Sequence, residues 1–221
     1  MLRIVQEIRI PVGDFSISAS HHGRGDTSVV LGHGAGGDRR TRTLVELAET
    51  LAGSGRQAVL YNFPYSDRGR GAPDAPDVLE RTARAVGDHA RAELGARKVV
   101  LGGKSMGGRL ASQAVAKGAA ADGLVFLGYP LHPPGRTDTL RDRHLPQIQV
   151  PMLFLQGTRD AFARWDLIEP LVARLAPRAT LHRVEGGDHS FAVPRRTGRT
   201  PAEVQKEIFD AILGWLEANR L

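Results

Sequence analysis

Three observations predict an α/β chain with a mostly parallel sheet and helices on both faces. Short apolar runs alternate with longer stretches of helical period. The runs are rich in Val, Leu and Phe. Most of them end in a loop containing Gly or Pro.

Taken in order, Leu2–Ile10 and Phe15–Ser20 alternate apolar and polar residues around Pro11-Val12-Gly13-Asp14, a turn signal, and read as an antiparallel pair. Ser28–Leu31, Gln57–Asn62, Lys98–Gly102, Gly123–Leu127, Pro151–Gln156 and Ala179–Val184 read as buried strands, which makes eight in all. Helical patterns lie between them at Thr43–Leu51, Pro76–Leu94, Met106–Lys117 and Ala163–Leu175. The last, Pro201–Asn219, spaces Val204, Ile208, Ile212 and Leu216 by four, with Pro201 in the first turn and Thr200 as N-cap. Gly69–Pro76 reads as one loop. With no repeat, low-complexity tract or linker, residues 1–221 read as one domain.

Composition narrows the chemistry. The chain has no cysteine, which excludes disulfides, thiolate metal sites and cysteine nucleophiles. The opening MLRIVQEIRI lacks the apolar run of a signal peptide, and no stretch approaches the ~20 apolar residues of a membrane span. The expectation is a cytoplasmic protein with no membrane partner, no metal and no cofactor. Of the 30 basic residues only Lys98, Lys104, Lys117 and Lys206 are lysines, and a solvated arginine surface is the ordinary explanation of the +6 charge.

The strongest motif is Gly103-Lys104-Ser105-Met106-Gly107, a G-x-S-x-G between a strand and a helix. A tight turn there lifts the serine hydroxyl above the strand end, and glycine suits the crowded flanking positions. The Met106 N–H then faces a developing oxyanion. Two rivals fit less well. Gly103-Lys104-Ser105 imitates the end of a phosphate-binding P-loop, but the glycine that motif needs is Lys98 here. Gly32-His33-Gly34-Ala35-Gly36-Gly37 matches the dinucleotide fingerprint, but the next strand ends Tyr61-Asn62-Phe63 without the acid that would hold a ribose.

A serine hydroxyl needs a base, and the base an orienting acid. Asp160 lies just past the end of the Pro151–Gln156 strand, and His189 lies on the loop after the last strand. Whole strand–helix units separate Ser105, Asp160 and His189, so all three can meet at the carboxyl edge of the sheet. Their chain order, serine then acid then histidine, is that of the hydrolase template. His182 sits in a strand, and His21, His22, His89, His132 and His144 lack such a setting. The loop after Leu31 supplies a second oxyanion donor, with Ala35 N–H as first choice and Gly34 N–H as second. His33 orders this loop and is a candidate substrate contact, as are Phe162 and Trp165 beside Asp160. Trp215 reads as core.

These segments — LGHGAGG, GGKSMGGR, GYPLHPPG, LFLQGTRDAF and GGDHSF — resemble the α/β-hydrolase superfamily across nearly the whole chain. The resemblance is to its small cap-less, dienelactone-hydrolase-like branch, and to the family of predicted hydrolases that includes testis-expressed protein 30 and NSL-complex subunit 3. It implies the α/β-hydrolase fold with an eight-stranded sheet and a triad of Ser105 as nucleophile, Asp160 as acid and His189 as base. Dienelactone hydrolases use a cysteine nucleophile, so their substrate does not transfer to this chain.

The expected partner is a small acyl substrate. Tyr129–Val150 is long enough for a flap but not for a cap domain, so an open site is expected. Twelve arginines (39, 40, 42, 68, 70, 136, 141, 143, 159, 195, 196 and 199) fall in loops after strand ends, which points to an anionic substrate or acidic partner. Nucleic acid is not expected, since aromatic interleaving and known motifs are missing. The alternatives are a hydrolase-fold interaction module with a vestigial triad and, with less support, a dinucleotide-binding oxidoreductase.

Overall fold

Alternation along each central strand feeds two separate cores, and this sets the layering. The computed structural model describes residues 5–221. Among them are β1 (Val5–Val12), β2 (Phe15–Gly23), β3 (Thr27–Gly32), β4 (Gln57–Tyr61), β5 (Lys98–Lys104), β6 (Gly123–Leu127), β7 (Met152–Gly157) and β8 (Ala179–Val184). The helices are α1 (Arg42–Gly53), α2 (Pro64–Asp67), α3 (Pro76–Ala92), α4 (Met106–Ala116), α5 (Trp165–Arg174) and α6 (Pro201–Ala218). Val100, Val125, Leu127, Leu153 and Leu155 face one core with α1 and α6. Val99, Leu101, Leu124, Phe126, Met152 and Phe154 face the other with α3, α4 and α5. Period-two patterning in strands buried on both sides requires this division.

The sheet order is β1-β2-β4-β3-β5-β6-β7-β8. β2 is antiparallel to β1 and β4, and the remaining neighbours are parallel. The order doubles back at β3, so the loop after β3 and the turn after β5 lie side by side, the position where such sheets carry sites.

Element bounds differ from the sequence expectation in a few places, each for a local reason. Pro11 and Val12 belong to β1, with Pro11 opposite Ser16, and only Gly13-Asp14 turn the chain. β1 is an edge strand, where a missing N–H costs nothing. The Leu2–Ile4 part of the first predicted strand lies outside the described residues. Ala163 and Arg164 precede α5, because Arg164 is its N-cap with a non-helical backbone (φ −54°, ψ +135°), and its N–H donates to His132 Nε2 (3.0 Å). α2 is one turn and left no periodic signal. α6 starts as expected, with Thr200 and Glu203 forming a reciprocal capping box.

Residues 128–151 carry only the single 3-10 turn Leu145–Gln147. No cap domain covers the carboxyl edge of the sheet. Among the described residues, no helix is long and apolar enough to cross a membrane.

Candidate active site

Ser105 sits between β5 and α4 with φ +50° and ψ −113°. A non-glycine residue rarely adopts this backbone, and it holds here because the surroundings over-determine it. A Cβ on Gly103 would lie 2.1 Å from Gly32 O, and one on Gly107 would lie 2.2 Å from the same atom. Both glycines of the motif are therefore dictated by the backbone of β3 passing beneath the turn. The Ser105 N–H donates to Leu127 O at 3.1 Å, which ties the turn to the end of β6.

His189 Nε2 lies 2.8 Å from Ser105 Oγ, and its Nδ1 donates to Asp160 Oδ2 at 2.7 Å. A carboxylate partner at Nδ1 leaves Nε2 free to accept the serine proton. The Asp160 side chain is fully buried. It also accepts from Gln156 Nε2 (2.5 Å) and from the Phe162 N–H (2.7 Å), so neither oxygen is unsatisfied. The imidazole has two walls. Phe162 lies on it with ring centroids 4.3 Å apart. On the other contact a Cβ at Gly128 would come within 3.4 Å of Nδ1. The loop itself is tight: Asp188 Oδ1 accepts from the Ser190 and Ala192 N–H groups.

The loop after β3 lies against the nucleophile turn, since a Cβ on Gly34 would be 3.7 Å from Ser105 Cβ. Gly34 O accepts from His33 Nδ1 (2.8 Å) and from the Gly37 N–H (3.1 Å). In a trans peptide the N–H opposes the C=O, so this anchoring aims the Ala35 N–H the other way. Among the described residues, no backbone carbonyl takes the Ala35 or Met106 N–H.

The substrate contacts suggested by sequence need revision. His33 is fully buried, and its Nε2 accepts from the Phe63 N–H at 3.1 Å. With both nitrogens used it cannot reach a substrate; it orders the loop, and burial lowers its pKa. Trp165 packs under the Arg183 guanidinium, 5.0 Å from the ring centre, and joins the α5 side of the core rather than the triad. Phe162 does touch the His189 ring. Trp215 is core, as expected.

Three participants went unnoticed in the sequence. Gln156 is fully buried and also accepts from the Tyr129 N–H (2.9 Å); a lone amide ending an apolar strand was the available signal. Gly128 and Lys104 gave no signal by spacing. A second serine–histidine pair, Ser112 and His144 (2.7 Å), is no rival to the triad. Ser112 is fully buried within α4 and donates to Arg109 O, and among the described residues no carboxylate hydrogen-bonds the His144 ring. Among the described residues, no three His, Asp or Glu side chains converge as a metal site would need.

The comparisons agree with this geometry at the level of fold. A family model for the alpha/beta hydrolase domain matches residues 25–217. The chain is similar to a dienelactone hydrolase from Anabaena variabilis, at 18% identity over 98% of each chain with a TM-score of 0.79. It is similar to a lid-less α/β serine hydrolase from Xanthomonas campestris, at 20% identity over 96% of this chain and 94% of that one, TM-score 0.71. A dienelactone hydrolase-like promiscuous phosphotriesterase from metagenomic libraries matches at 17% identity over 98% of each chain, TM-score 0.75. With a family match that spans most of its length, the chain belongs to the α/β hydrolase family.

Proposed function

We propose that this chain is a serine hydrolase that cleaves an ester or related acyl bond through an acyl-enzyme. The observation that carries the reading is the relay from Ser105 Oγ to His189 Nε2 (2.8 Å) and from His189 Nδ1 to buried Asp160 (2.7 Å). Ser105 Oγ attacks the carbonyl carbon as its proton passes to Nε2. The tetrahedral oxyanion meets the Ala35 and Met106 N–H groups. Asp160 holds the imidazole and stabilises the imidazolium, which then protonates the leaving group. Water, activated by the same imidazole, releases the acid and regenerates the serine.

The test is hydrolysis of short acyl esters together with labelling by a fluorophosphonate probe. Ser105→Ala is expected to abolish labelling and to lower turnover by about 10³-fold or more. Unchanged hydrolysis by that variant would sink the assignment. A folded wild-type protein that neither labels nor turns over any ester favours the interaction-module alternative.

We further propose that the substrate is anionic. Four of the twelve carboxyl-edge arginines are neutralised, as Arg39–Glu7, Arg42–Glu46, Arg68–Asp74 and Arg199–Glu207. Among the described residues the other eight have no such ion pair. Two of them, Arg40 and Arg70, flank a groove of about 380 Å³ beside the oxyanion loop, lined by Gly36, Gly37, Thr41 and Tyr65. The buried Tyr65 hydroxyl also faces this region.

A further inference from the structure

Lys104 occupies the variable position of the serine motif, yet its side chain spans the three loops that meet at the site. Its Nζ donates to the His189 carbonyl oxygen at 2.6 Å. The ammonium also lies over the Phe191 ring, 5.4 Å from its centre. Its Cγ would be 3.7 Å from a Cβ on Gly34 in the oxyanion loop. Phe191 is buried at φ +64°, a backbone unfavourable for a bulky residue. Something must hold the loop in that shape. The loop's other polar contacts at Asp188 are internal: its carboxylate serves Ser190 and Ala192, its N–H donates to Ala192 O, and its carbonyl accepts from the Phe191 N–H. The Lys104 bond instead ties the backbone of His189 itself to the residue next to the nucleophile.

We propose that Lys104 is a positioning residue, a charged clamp that locks the His189 loop onto the nucleophile turn and keeps Nε2 within reach of Ser105 Oγ. This rests on the triad reading above. A bond from an ammonium to a carbonyl is roughly twice as strong as a neutral one, and the partly buried setting strengthens it. The groups facing Lys104 are Asp188 and the His189 carbonyl from the His loop, Asp160 from the acid loop, and the uncharged Gly34 backbone from the oxyanion loop. Among the described residues, no carboxylate comes within ion-pair distance of Nζ. Burial lowers the Lys104 pKa, and the more distant Asp160 and Asp188 only partly oppose this. The clamp acts through the charged form and weakens as pH rises through a value below the ordinary lysine range.

The test compares wild type, Lys104→Met and Lys104→Arg. Misplacing a base by about 1 Å costs on the order of 10²-fold, so Lys104→Met should lose about 10- to 100-fold in kcat with KM changed less than about twofold. Lys104→Arg should recover most of the loss, and its alkaline limb should move to higher pH because guanidinium does not titrate there. Hydrogen exchange adds a readout independent of turnover: amides 186–193 should exchange faster in Lys104→Met while those of β5 and β6 keep their protection. Wild-type kcat in Lys104→Met, superimposable alkaline limbs in wild type and Lys104→Arg, or unchanged exchange in 186–193 would each overturn the clamp. Should Lys104→Met fail to fold, the limb of Lys104→Arg decides. Loss of activity in Ser105→Ala tests the triad separately, so failure of one reading is not failure of the other.

Discussion

Single atoms decide the shape of the nucleophile turn. A methyl on Gly107 would sit 2.2 Å from Gly32 O and 2.4 Å from Gly32 C, both backbone atoms of a central strand that cannot swing aside. Gly107→Ala is expected to cost about 1–3 kcal/mol of stability, as overpacking does, and to displace Ser105. A lower urea midpoint with loss of fluorophosphonate labelling would show both effects; a midpoint and labelling rate equal to wild type would contradict the account. Gln156 works at the same scale. Its amide joins Asp160 to the Tyr129 N–H, so the orienting acid is itself oriented by the chain leaving β6. The serine, acid and histidine were legible because each follows a strand and each residue type has a chemical reason to be there. Gln156, Gly128 and Lys104 were not, because their roles are contacts across loops far apart in the chain.

At the scale of elements, the segment between β6 and β7 is a pinned flap rather than a loose lid. Tyr129 O–H donates to Arg141 O at 2.6 Å, and the Arg141 N–H donates to Leu131 O at 2.8 Å. The His132 N–H donates to Phe162 O (2.9 Å), while His132 Nε2 accepts from the Arg164 N–H, which staples the flap to the acid loop. His144 pins its far end to Ser112 on α4. Burial, then the Arg109 charge, lowers the His144 pKa from 6.5 to about 4. The unfolded state therefore binds the proton more readily than the folded one. The stabilisation is fully present above about pH 6.5 and is lost as pH falls toward about 4. Thermal melts at stepped pH should show wild type losing more stability between pH 7 and 4.5 than His144→Asn, which has nothing to titrate there. Equal losses would mean that folding does not depress the His144 pKa. The sequence read this segment correctly as too short for a cap, but its anchors are long-range bonds that periodicity cannot reveal.

Over the whole molecule, the proposal of an anionic substrate is a statement about charge. The chain carries +6, and eight of its twelve carboxyl-edge arginines lack an ion pair among the described residues. Such a field concentrates anions, and salt screens it over about 8–10 Å at ordinary ionic strength. An ester bearing a carboxylate should be hydrolysed faster than its neutral isostere at low salt. The ratio of kcat/KM values should shrink as salt is raised. A ratio indifferent to salt would show that the arginines are only solvation. Arg40→Ala with Arg70→Ala should lower the ratio while sparing the neutral ester.

The sequence by itself determined the alternation of strands and helices, the split of each central strand between two cores, and the order of serine, acid and histidine at three strand ends. These are local or periodic properties, set by side-chain chemistry and by the two- and 3.6-residue repeats. Tertiary structure decided what depends on distance between remote segments. It kept His33 as the loop anchor the sequence suggested while burying it away from any substrate, set Trp165 under Arg183 and brought Lys104 against the His189 carbonyl. Each outcome depends on where another loop passes, and that is settled only when the whole sheet has closed around its two cores.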